Sequence, residues 1–70
     1  MTKREFLDTL KLKLTVEIDT DDRQNLQRVI EFVGTLTEEQ VYNIHIRSNI
    51  CSPLNYCIRH LNGSRSYSID

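Results

Sequence analysis

Seventy residues are room for one domain, and a domain of that size buries only about 60% of the surface its unfolded chain exposes. The composition, 39% hydrophobic and 27% charged with one proline and two glycines, excludes a disordered tail. No apolar run approaches the ~20 residues that a membrane-spanning helix needs. The formal charge of −1 hides a split. Through Glu39 the chain carries six lysines and arginines against nine carboxylates, a net of −3; beyond it, Arg47, Arg59 and Arg65 face only Asp70, a net of +2.

In chain order, Thr2 and Glu5 have the spacing of a capping box, in which hydroxyl and carboxylate each satisfy a free N–H at a helix start. Phe6, Leu7, Leu10 and Leu14 then fall on one stripe of a helix beginning near Lys3. A competing pattern alternates Leu10, Leu12, Leu14, Val16 and Ile18, as a half-buried strand would. The helix ranks first, because a lone strand would find only the short Tyr67/Ile69 segment to pair with. Thr15 to Ile18 is then an extended connector.

Asp19 to Asp22 supplies N-cap candidates for a second helix and places negative charge at the positive end of its dipole. Leu26, Val29, Ile30 and Val33 form its apolar face, and Gly34 is placed to end it at φ > 0. Thr37 and Gln40 make another capping box, with Leu36 and Val41 as its hydrophobic staple. On the third helix Val41, Ile44, His45 and Ser48 share one side, and Tyr42, Ile46 and Asn49 the other. A helix apolar on two sides is central or shared with a partner.

Ser52 and Pro53 are a favourable N-cap and first-turn pair, and Gly63 a natural stop, so the fourth helix is the best bounded. Leu54, Cys57, Ile58 and Leu61 make its inner stripe, leaving Asn55, Tyr56, Arg59 and His60 to project outward. The fold class is therefore all-α: a compact bundle of about four short helices over residues 1–63, followed by a polar tail, 64–70, that is expected to be mobile or to pair as a short strand.

His45, Cys51, Cys57 and His60 could ligate zinc by type, but their order and spacing do not match the paired C-x₂₋₄-C and H-x₃₋₅-H pattern, so no metal is expected. Cys51 lies near a helix N-terminus and is the more reactive thiol on paper, whereas Cys57 belongs to an apolar stripe. No phosphate loop, nucleophile elbow or metalloprotease motif is present. Neither catalytic residues nor a cofactor are expected, and the basic start without an apolar segment of signal-peptide length leads to the expectation of a cytoplasmic protein.

Binding is the remaining class. From Gln40 to Ile69 the chain has three arginines, all three tyrosines, four of five asparagines and no carboxylate, a composition akin to interface centres. Arg47, Asn55, Tyr56, Arg59, His60 and Arg65 are the candidate partner-binding residues, directed at an acidic protein surface by a small regulator or inhibitor. A core this small supplies roughly 3–5 kcal/mol, which favours a homo-oligomer as well. The second reading is a DNA-binding regulator. Ile44, Asn49, Ile50 and Ile58 suit a degenerate helix-turn-helix, with residues 53–61 as recognition helix and Asn55, Tyr56 and Arg59 reaching the duplex. Three arginines are few for that task, and His45 and Asn55 depart from the pattern. A structural subunit of a larger assembly is the third.

Overall fold

A computed structural model describes residues 1–49 and 51–69; Ile50 of the helix-turn-helix pattern and the Asp70 charge lie outside the described residues. Four helices follow in order: α1 (Lys3–Val16), α2 (Thr20–Gly34), α3 (Glu38–Arg47) and α4 (Pro53–Leu61). No strand occurs among the described residues, so the fold is the expected all-α bundle.

Each helix starts where its chemistry demands. Thr2 Oγ1 accepts from the Glu5 N–H at 3.1 Å while Glu5 Oε1 accepts from the Thr2 N–H at 3.0 Å, and Thr37 and Gln40 repeat the exchange on α3. Asp19 caps α2 by accepting from the Asp22 N–H at 3.0 Å, and Ser52 caps α4 through the Asn55 N–H. At the far end of α4, Gly63 (φ 90) donates to the His60 carbonyl and Ser64 to that of Arg59. That pair of bonds is a Schellman motif, and its left-handed residue is the expected glycine.

Two boundaries differ from expectation. Thr15 and Val16 belong to α1, so the connector shortens to Glu17–Asp19. The reason is Arg23, which reaches back from α2 and donates to the Leu14 and Glu17 carbonyls at 2.9 and 2.8 Å, satisfying acceptors left open at the end of α1. Gly34 does not provide a positive-φ stop: it is the last residue of α2, and Gly63 alone has positive φ among the described residues. Thr35 closes α2 instead, its N–H and hydroxyl both donating to the Phe32 carbonyl.

The core gathers Leu10 from α1, Val29 and Val33 from α2, Val41 and Ile44 from α3 and Cys57 from α4, all fully buried. α1 lies mainly against α2, while α3 bridges α1 and α4. The tail is where the structure departs most from expectation. Residues 64–69 neither form a strand nor trail away; they turn back over α4 and place Ile69 in the core beside half-buried Tyr67. The alternation of Tyr67 and Ile69 thus anchors the tail by burial, with no ladder bonds.

Candidate interaction surfaces

The tail decides where the candidate binding residues stand. Tyr56, expected to project outward, is only 3% exposed; its hydroxyl donates to the Ser68 carbonyl at 2.7 Å and its ring meets Tyr67 edge-on at 5.1 Å. The correction has a simple cause: α4 is covered on a second side by the tail, so a residue off the first apolar stripe is still buried. Arg59 holds its guanidinium over the Tyr67 ring, 5.2 Å from the centroid, and donates to the Tyr67 hydroxyl. His60 stacks on Phe32 at 5.2 Å and its Nδ1–H donates to the Tyr67 carbonyl at 2.7 Å. Arg47 donates to the Ser68 carbonyl and hydroxyl, both at 3.2 Å.

Arg47, Tyr56, Arg59 and His60 are therefore brought together, as one latch on the tail. Asn55 and Arg65 stand apart from it and are exposed. The trio assigned to DNA is split: Tyr56 is buried, Arg59 is engaged with Tyr67, and only Asn55 faces outward without a tail contact.

The thiols and imidazoles do not form a centre. Among the described residues no group of three or more His, Cys, Asp or Glu side chains converges as a metal site. Burial pushes the Cys57 thiol up to about 12, which keeps it protonated and unreactive at neutral pH. Cys51 is half-buried. His45 donates from Nδ1 to the Val41 carbonyl at 2.9 Å and meets Phe6 edge-on at 4.9 Å, while its buried Nε2 has no protein partner. It is a packing residue of the α1–α3 contact.

Among the described residues the exposed large apolar side chains are Met1 and two groups. On α3, Tyr42 (61% exposed) and Ile46 (49%) lie one turn apart on the side away from the core, where the two-sided pattern of the sequence placed them. Glu38 and Glu39 stand on that same side one turn before Tyr42, whereas Arg47 lies about 100° round the helix from Ile46 and bonds to Ser68 of the tail. The second surface sits at the α1–α2 turn, where Leu12 and Val16 are exposed and Ile18 is 93% exposed. Beside it a shallow groove of about 390 Å³ runs between α1, α2 and α4. Leu26, Leu54 and Ile58 supply its apolar lining, Val16, Glu17 and Asp22 are among its walls, and Lys13 is the one cation among its lining residues. Asp19 beside it, more than burial or Glu17, holds the Asp22 carboxyl above its usual value, so this edge of the groove carries crowded negative charge. Leu12, off the stripe of its helix, is the sequence signal for this second surface.

The molecule defined by this fold is a small all-α module with outward apolar patches on α3 and at the α1–α2 turn. No family model, curated protein or solved structure matches the chain.

Proposed function

We propose that this is a non-enzymatic protein-interaction module, acting as a small regulator or inhibitor, that docks the outer face of α3 and the adjoining basic region on an acidic protein surface. The observation that carries the reading is the exposed pair Tyr42 and Ile46, set at the start of a stretch, Gln40 to Ile69, that contains no carboxylate. Burying such side chains in a partner contributes roughly 1.5 kcal/mol or more each, while arginines on the rim set approach and orientation. Of the residues assigned to the partner from sequence, Asn55 and Arg65 keep that role here, both exposed and outside the latch, while Arg47 is exposed with its guanidinium bonded to Ser68. Tyr56, Arg59 and His60 support it indirectly, by fixing the tail that carries Arg65 and Ser66.

The test is affinity capture from lysate with and without nuclease, comparing the wild-type chain with the double variant Tyr42→Ser, Ile46→Ser. The reading expects a stoichiometric acidic protein on the wild type, released by salt, and at least tenfold less on the variant. Equal capture by both chains would refute the α3 face. Material that disappears with nuclease would instead favour the DNA-binding reading.

A further inference from the structure

The tail lies on α4 in the manner of a bound peptide. Two of its backbone carbonyls are received by side chains of the bundle: that of Tyr67 accepts from His60 Nδ1–H at 2.7 Å, and that of Ser68 accepts from the Tyr56 hydroxyl at 2.7 Å and from Arg47 at 3.2 Å. Such bonds are blind to the tail's own side chains. Selectivity comes from the alternate positions. The Tyr67 ring stands edge-on to Tyr56 with the Arg59 guanidinium over it, and Ile69 is 6% exposed within the core. Backbone bonds for affinity and pockets for every second side chain are how domains hold extended peptides. The attachment is also local. Ser64, Arg65, Ser66 and Ser68 are exposed, and the tail leaves α4 at Gly63 (φ 90), so its release turns about one hinge and breaks no hydrogen bond within a helix.

We propose that this groove is a second interaction site, distinct from the outer face of α3, that takes an extended segment of another protein in exchange for the chain's own Tyr67, Ser68 and Ile69. The segment it fits reads aromatic, acidic, aliphatic. The outer two positions repeat the resident anchors, and the acidic choice between them follows from the surroundings of Ser68. The Ser68 hydroxyl accepts from Arg47 at 3.2 Å, and a cleft of about 320 Å³ opens beside it, bounded by Arg47, Cys51, Tyr56 and the tail, with no carboxylate among its described lining residues. A carboxylate at this position replaces a neutral acceptor by a charged one and so strengthens the bond to Arg47. An outside segment needs that gain, because the tethered tail competes at an effective concentration on the order of millimolar. Serine in the tail thus keeps the groove filled by a ligand weaker than the one it is shaped to take.

Fluorescence anisotropy with labelled peptides of residues 64–70 tests this. The protein variant Tyr67→Ser with Ile69→Ser withdraws both anchors of the resident tail, and far-ultraviolet circular dichroism checks that its helices persist. The peptide of native sequence is expected to bind this opened chain about tenfold or more tightly than it binds the wild type, whose groove its own tail fills. A Ser68→Glu peptide is expected to bind the opened chain several-fold tighter still, and Arg47→Ala added to the protein to abolish that difference. A helical opened chain that binds the native peptide no better than the wild type does, or that binds a Tyr67→Ser, Ile69→Ser peptide equally well, overturns the site. Equal affinity for the serine and glutamate peptides overturns the acidic preference. Where the double variant loses its helices, Tyr67→Ser alone, which leaves Ile69 in the core, carries the same comparison. Its weakened hold on the tail raises the affinity for added peptide above that of the wild type, and an affinity no higher overturns the proposal.

Discussion

Cys57 and Tyr56, neighbours on α4, show how a residue's fate depends on what covers it. Cys57 packs fully inside, and the loss of solvation that raises its thiol to about 12 removes the thiolate needed for chemistry. Titration with a thiol reagent under native conditions is expected to find a single reacting cysteine, half-buried Cys51, with Cys57 appearing only in denaturant. Two thiols reacting at similar rates in the native protein would contradict the packing. Cys57 was legible from sequence because Leu54 and Leu61, its neighbours on the stripe, are three and four positions away. Tyr56 was not, since its cover comes from Tyr67 and Ser68, residues with no periodic relation to α4.

Helix boundaries were legible to the extent that they are written in local side-chain chemistry. Both capping boxes and the Gly63 stop are as their spacing implied. Gly34 misled because a glycine after an apolar face is compatible both with a left-handed stop and with a last helical residue. In its actual helical position an added Cβ would meet nothing within 4 Å. Gly34→Ala is therefore expected to stabilise the protein by about 0.4–1 kcal/mol, chiefly by restricting the unfolded chain, as urea unfolding would show. A loss of stability would mean that the position needs glycine after all. The α1 cap makes a pH prediction. The bonds from the Thr2 N–H and hydroxyl hold the Glu5 carboxyl below its usual value near 4.5. A carboxylate with a lowered folded pKa contributes stability above its unfolded pKa and loses it as pH falls through the folded value. Asp22 acts with the opposite sign: its raised pKa favours the fold below its usual 3.8, an advantage lost as pH rises through the raised value. The informative comparison is thus Glu5→Gln, which keeps a capping amide but does not titrate. Its stability should fall less than that of the wild type between pH 4.5 and the lowered Glu5 value; identical pH profiles would remove the cap from the account.

For the whole molecule, what was legible depends on whether a surface belongs to one helix or is assembled from several. The outer side of α3 was visible as a helix apolar on two sides, and the structure leaves Tyr42 and Ile46 in solvent. The acidic groove was not visible, because it is assembled from α1, α2 and α4, and long-range assembly leaves no local pattern. The latch formed by Arg47, Tyr56, Arg59 and His60 was not visible either, because polar residues on an outward helical face look the same in sequence whether they meet a partner or the chain's own tail. The most direct measurement is hydroxyl-radical footprinting of the tyrosines, comparing the dilute free chain with the proposed complex. Tyr42, at 61% exposure, is expected to be modified readily when free and several-fold less in the complex, while Tyr56, at 3%, stays protected in both. Tyr42 modified equally in the complex and in the free chain would contradict the assignment of the α3 face as the site of interaction.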